Sequence, residues 1–401
     1  ALEWYEKALA IWEKHLGPEH PFTATSYNKI AFVYSRQGQY EKALEWYEKA
    51  LAIREKHLGP EHPDTATSYH NIAFVYGNQD QYEKALEWFE KALVICEKHL
   101  GPEHPSTATS YNNIALVYDR QGQYEKALAG YEKALAIREK HLGPEHPSTA
   151  ASYNKIAGVY FAQGQYEKAL AWYKKELAIC EKVLGPEHPF TATSYHNIAG
   201  VYFAQGQYEK ALAWYKKDLA ICEKVLGPEH PDTATSYNNI AFVYDSQGQY
   251  EKALAWYEKA LVIRKKHLGP EHPDTAISYN NIAEMYSRQG QYEKALVWHE
   301  KALAIKEKHL GPEHPDTATS YNNIALVYLA QGQYEKALAW YVKAYHVLLA
   351  KFGQDHPHTQ IVYKNMATTY AKTGNETAFT EWLEQAPSEK VSSHYGNPEI
   401  K

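Results

Sequence analysis

Cysteine is scarce, with three residues in a chain of 401. Cys96, Cys180 and Cys222 occupy the same slot of different repeats, and equivalent helices of neighbouring repeats are expected about 8–10 Å apart, beyond the Cα reach of a disulfide. They read as free thiols of a reducing compartment, so a cytoplasmic (intracellular) location is expected. A run of ~20 apolar residues is missing, as is a charged segment leading into a shorter apolar one, which excludes a membrane span and a signal peptide within the chain. The chain opens at Ala1 in mid-repeat, which leaves an upstream signal open. A basic footprint is also lacking: the net charge is -6, with acids and bases interleaved, so no nucleic-acid partner is expected. No phosphate loop and no nucleophile motif is present, and catalysis needs unlike groups converging on one place. Neither an enzyme nor a cofactor is expected.

What the chain has in abundance is repetition. The glycines of the L-G-P-E-H-P segment fall at Gly17, Gly59, Gly101, Gly143, Gly185, Gly227, Gly269 and Gly311, a spacing of 42, and Gly353 opens a drifted version. In the unit beginning at Asp64, Tyr69, Ile72, Ala73 and Tyr76 follow the i, i+3, i+4, i+7 pattern of one buried helix face, predicting helix A from about Thr65 to Gln79. Asp80, where other units carry Gly38 or Gly122, marks a turn with left-handed backbone. Helix B starts near Tyr82 with the apolar stripe Ala85, Leu86, Phe89, Ala92, Leu93 and Ile95, and an outward Glu87–Lys91 pair. Lys98 and His99 suit its last turn, Gly101-Pro102 stops it, and Pro105 suits the first turn of the next helix A.

A helix pair of this kind leaves apolar surface that only the next pair covers, so the units must stack. The expected organisation is an all-α solenoid of antiparallel helix pairs. Residues 1–21 form an unpaired helix B, 22–357 eight tandem 42-residue units, 358–386 a divergent capping pair with a shortened helix Glu376 to Gln385, and 387–401 a polar tail. Nearly all of the 35 tyrosines recur at the slots of Tyr27, Tyr34, Tyr40 and Tyr47, which marks packing, not a platform for stacking bases. In the K-H-L-G-P-E-H segment, as at His57, Glu61 and His62, the histidines suggest helix capping and linker packing more than a metal site. Val183 and Val225 replace the first of them, as no ligand can be replaced.

The succession Tyr111, Ile114, Ala115, Tyr118, Gly122, Tyr124, Ala127, Tyr131 and Ala134 resembles the tetratricopeptide (TPR) signature. The longer period, Y-N-N-I-A at Tyr111 to Ala115 and the L-G-P-E-H-P-x-T linker look more specifically like the kinesin light chain class of these repeats. The resemblance implies a right-handed superhelix whose helix A lines an inner groove that grips extended peptides. Tyr stands where that class favours Leu before the Asn pair, and no heptad coiled coil for a motor heavy chain is present.

Comparing the repeats with one another separates scaffold from reader. On helix A the slots of Thr25, Asn28, Lys29, Phe32, Ser35 and Arg36 lie opposite the core stripe at 100° per residue, and variation concentrates there. The Phe32 slot reads Phe74, Leu116, Gly158, Gly200, Phe242, Glu284 and Leu326 along the chain; the Ser35 slot reads Gly77, Asp119, Phe161, Phe203, Asp245, Ser287 and Leu329. Units 148–189 and 190–231 differ at five positions, three of them in this sector: Ala151 against Thr193, Asn154 against His196, Lys155 against Asn197. Exposed Phe and Leu on a merely solvated face are unfavourable, so the sector is expected to be a peptide groove. Lys29, Arg36, Arg120 and Lys155 make its first part basic; Gly158 and Gly200 beside Phe161 and Phe203 leave an apolar hollow; Asp119, Asp245 and Glu284 turn the later part acidic, and Arg288, Lys364 and Lys372 restore positive charge. The amides of Asn71, Asn113, Asn197, Asn239, Asn281 and Asn323, with Asn112 and Asn238 one residue before, offer either a ladder for a peptide backbone or hydrogen bonds between helices. The expected partner is a protein or peptide segment, acidic and carrying a bulky apolar residue. A self-associating rod, using the solenoid ends or Trp46, Trp88, Trp172, Trp214, Trp256, Trp298 and Trp340 on helix B, is the alternative.

Overall fold

A computed structural model describes residues 2–373, which form eighteen α-helices and no strand. The expected helix Glu376 to Gln385 and the tail 387–401 lie outside the described residues. The chain divides into two units, residues 1–207 and 208–401. The first holds α1 (Leu2–Leu16), α2 (Pro21–Arg36), α3 (Tyr40–Leu58), α4 (Pro63–Asn78), α5 (Tyr82–Leu100), α6 (Pro105–Arg120), α7 (Tyr124–Leu142), α8 (Pro147–Ala162), α9 (Tyr166–Ile179, continued by a π-helical turn over Cys180–Leu184) and α10 (Pro189–Ala204). The second holds α11 (Tyr208–Val225), α12 (Pro231–Ser246), α13 (Tyr250–Leu268), α14 (Pro273–Arg288), α15 (Tyr292–Leu310), α16 (Pro315–Ala330), α17 (Tyr334–Phe352) and α18 (Pro357–Thr373). Even-numbered helices are helix A and odd-numbered ones helix B, and within each unit every helix packs on its neighbours in the chain.

The linker carries the start signal of helix A, which begins two residues earlier than the periodicity alone suggests. His62 is the N-cap: its Nδ1 accepts the Asp64 backbone N–H at 3.1 Å, and Pro63 takes the first helical position, where no N–H is needed. Thr65, fully buried, donates its hydroxyl to the Gly59 carbonyl at 2.9 Å. The same bonds recur around His20, His104 and His188, so the linker histidines are caps. At the far end Gly38 sits at φ 73° and Asp80 at φ 58°, as the turn requires, and the Gln39 N–H returns to the Tyr34 carbonyl at 3.0 Å.

The core runs from one pair into the next. Ala43, Tyr47 and Leu51 of α3 pack with Tyr69, Ile72 and Val75 of α4 and with Ile95 and Cys96 of α5. Ile72 and its equivalents Ile156, Ile240 and Ile282 are completely buried, each contributing about 1.5–3 kcal/mol. Polar bonds accompany this seam. Tyr69 donates its hydroxyl to Glu55 of the preceding helix B at 2.7 Å, and Tyr153 to Glu139 at 2.6 Å. Arg54 reaches the buried Ser68 at 2.9 Å, as Arg138 does Ser152 and Arg264 does Ser278. Where cysteine replaces that arginine, the serine finds another polar partner: His70 for Ser110, Glu176 for Ser194, Asp218 for Ser236. The three thiols are free and buried.

Trp46, Trp88, Trp172, Trp214, Trp256, Trp298 and Trp340 are half-buried, whereas Trp4 and Trp12 of α1 are exposed. Trp46, Trp88, Trp172, Trp256, Trp298 and Trp340 each lie 5.4–5.7 Å from a helix-A tyrosine ring, and a lysine ammonium also covers them, as Lys49 does Trp46 at 4.6 Å.

Candidate functional site

The sector opposite the core stripe is accessible in both units. Thr25, Lys29 and Arg36 are exposed, and Asn28 and Ser35 half-buried, while Tyr27, Ile30 and Ala31 on the other side are buried. Phe32, Phe74, Phe161 and Phe242 are 56%, 50%, 39% and 48% exposed; Phe203 is half-buried. Phe32, Phe74 and Phe242 share one slot, and Phe161 and Phe203 hold the Ser35 slot one helical turn further on.

In the first unit the asparagines bond between helices. Asn71 donates to Asn28 at 3.4 Å, across a separation of 43 residues, and Asn28 donates back to the Ala24 carbonyl at 3.1 Å. Asn154 turns inward, its amide nitrogen 3.0 and 3.1 Å from the two carboxylate oxygens of Glu176. Arg120 closes the end of the neighbouring α4: its guanidinium donates to the Gly77 carbonyl at 2.9 Å and to Asn78. That bond runs past Gly77, where the slot carries no side chain, and a shallow cleft lined by Phe74, Asn113, Leu116 and Arg120 remains. Asp119 is half-buried and its carboxyl is pushed up by desolvation, with Lys155 and Arg120 opposing the shift. The basic start of the sector therefore includes one carboxylate among its cations. Lys29, Arg36 and Lys155 are exposed; Asn112, His196 and Asn197 are half-buried. At Gly158 a Cβ would stand 3.8 Å from the Tyr173 hydroxyl, so a helix-B tyrosine lies beside that slot.

The second unit contains an open depression of about 430 Å³, lined by Asn238, Asn239, Phe242 and Asp245 of α12, Asn281, Glu284 and Met285 of α14, and Tyr257 of α13 beneath them. Six of these eight residues belong to the changing sector. Asn281 donates to Asn238 at 3.1 Å and Asn365 to Asn322 in the same way at 3.1 Å; Asn323 is half-buried. Arg288 donates to Glu284 at 2.9 Å and stands 3.5 Å from Asp245. Of the asparagine ladder, Asn71 and Asn281 thus spend one N–H each on the previous helix A, and an amide with two donors and a two-lone-pair oxygen retains capacity beyond that bond. Tyr257 and Met285 were not singled out by the repeat comparison. Tyr257 holds a fixed packing slot, and only the depth of the depression shows that its ring is also a floor.

The tetratricopeptide repeat family model matches in nine overlapping segments, the first covering residues 1–56 and the last 316–386. The chain belongs to the tetratricopeptide repeat family. The nearly identical TPR-like repeats assigned to a kinesin light chain of Podosopora anserina are 36% identical over 51% of this chain and 97% of that one, with a TM-score of 0.46. BtubC (BKLC) of P. vanneervenii is 24% identical over 58% of this chain and 94% of that one, at TM-score 0.50. The signal transduction ATPase with a tetratricopeptide repeat sensor from Pyrococcus horikoshii is 19% identical over 90% of this chain and 53% of that one, at 0.57, a likeness of fold. No curated protein matches significantly. Among the described residues no helix is long and apolar enough to cross a membrane.

Proposed function

We propose that this chain, of a family that generally mediates protein–protein interaction, is a non-enzymatic scaffold that holds extended peptide segments in a groove lined by the changing sector of helix A. The depression over Tyr257 carries the reading: the residues that change from repeat to repeat line a cavity large enough for a side chain, with an exposed phenylalanine in its wall. Half-buried asparagines flank it, and they can meet a peptide backbone with both donors and acceptors. In the first unit, Lys29, Arg36 and Lys155 favour an acidic stretch of ligand, and Phe161 with Gly158 a bulky apolar residue. Cytoplasmic placement accords with the three free thiols. At Trp46 and its equivalents the rod reading has less behind it, because tyrosine rings and lysine ammonium groups flank those indoles.

Selection of displayed random 12-residue peptides on the intact chain tests this. Enriched peptides should lose at least tenfold in affinity for a Phe161→Ala, Phe242→Ala variant whose melting temperature is unchanged. No enrichment, or affinity indifferent to both substitutions, would overturn the reading.

A further inference from the structure

The depression of the second unit differs in charge from every equivalent position along the chain. Glu284 is the one charged residue in its slot, where the other units have Phe, Leu or Gly, and it stands over the unit that also supplies Asp245. Among the described residues, Arg288 is the cation paired with these two carboxylates, 2.9 Å from Glu284 and 3.5 Å from Asp245. Two acids sharing one guanidinium leave a net charge of about -1 in a partly desolvated hollow, where charge is costly unless paired. Asp245 Oδ1 is buried and accepts no hydrogen bond. Its carboxyl is pushed above the ordinary range by desolvation, with Glu284 adding to the shift.

The geometry points to a specific occupant: the side chain of a lysine or arginine in an extended peptide, its cation on Asp245 and Glu284 and its aliphatic stem along Phe242. The inference rests on the peptide-scaffold reading and adds the chemistry of one subsite to it. A metal ion suits the place less well. Two carboxylates are too few for a hard-cation shell, among the described residues no cluster of three or more ligating side chains occurs, and about 430 Å³ is far more space than an ion needs. A lysine or arginine uses both halves of the hollow, because its stem is apolar and its head charged. Charge-assisted bonds of this kind favour the cation over a neutral isostere.

The chain contains two methionines: Met285 lines the depression and Met366 is buried in α18 outside its lining. Methyl NMR of methionine-labelled protein therefore gives one reporter and one internal control. Acetyl-Leu-Lys-Leu-amide, its norleucine analogue and its glutamate analogue are titrated in turn. The lysine peptide should move the Met285 signal at a concentration at least tenfold lower than the norleucine peptide, with Met366 still, and Asp245→Asn, Glu284→Gln should bring the two peptides within twofold. Equal response to lysine and norleucine, or a preference that survives the double substitution, overturns the inference while leaving the scaffold reading in place. No movement of Met285 with these probes or with display-selected peptides overturns both.

Discussion

Glu176 of α9 is buried against Asn154 of α8, whose amide nitrogen lies 3.0 and 3.1 Å from its two oxygens, in a slot where the other helices B mostly carry alanine. Burial raises its pKa to about 7, with the bonds from Asn154 and Ser194 opposing the shift. The folded state then holds a proton that the unfolded chain releases near the ordinary value of 4.5. Stability from this group is full below that value and is lost as pH rises through about 7. Glu176→Gln should remove that slope and stabilise the chain above neutrality, by at most on the order of 3 kcal/mol. Urea melts from pH 5 to 8 check it; a parallel slope in the variant would contradict it.

His299 has the opposite sign. It fills the buried slot held by tyrosine in most repeats, its Nδ1 3.0 Å from Asn280 and its Nε2 buried without a partner. Desolvation lowers its pKa to about 4, with Lys306 adding to the shift. Unfolded histidine takes up its proton near 6.5, so stability is full above that value and falls as pH drops from 6.5 towards 4. His299→Phe should lessen the loss of thermal stability across that window, leaving the share that the equally desolvated His70 contributes; a variant as acid-sensitive as the parent would rule the account out.

Gly130 stands where the eight other helices B carry tryptophan. A Cβ there would meet the Ala115 Cβ at 2.8 Å and the Tyr111 carbonyl oxygen at 3.2 Å. Helix propensity favours alanine over glycine by about 1 kcal/mol, but the overlap outweighs it. Gly130→Ala should lower the melting temperature, and Gly130→Trp, the residue its own repeats suggest, should lower it further. A rise with either substitution would show that α6 and α7 part at little cost.

Asp80 is the one non-glycine residue with positive φ among the described residues, at 58°, and its carboxylate accepts the Tyr82 hydroxyl at 2.7 Å. Asp80→Ala should cost about 1 kcal/mol, since alanine resists the left-handed region and cannot replace the bond. Asp80→Gly should come out near neutral. Chemical denaturation of the two variants side by side separates backbone strain from the lost hydrogen bond.

The helix pairs, their turns and the exposed sector were legible because each depends on spacing within one 42-residue unit. Tyr69, Ile72 and Ala73 mark the buried face, and Phe32 and Lys29 fall opposite it by helical rotation alone. What was not legible depends on the offset between one pair and the next. Nothing in the local pattern says that Asn71 bonds Asn28, that Arg120 caps α4, or that Ser194 takes Glu176 once cysteine has replaced the arginine of the seam. Gly130 was silent for the same reason: a missing side chain reveals close helix approach only when the facing Ala115 is in place. The polarity of the helix-A face could be read from Lys29 and Glu284, whereas the pairing of Arg288 with two acids required the structure.

The central claim is that ligand lies along helix A and not along helix B. Placing a photo-reactive benzoylphenylalanine at Phe32, Phe74, Phe161 or Phe242, and in parallel at the exposed helix-B positions Glu45, Glu87 and Ala171, tests it directly with a display-selected peptide. Cross-links confined to the helix-A positions are the predicted result. Equal or preferential capture from helix B would contradict the account.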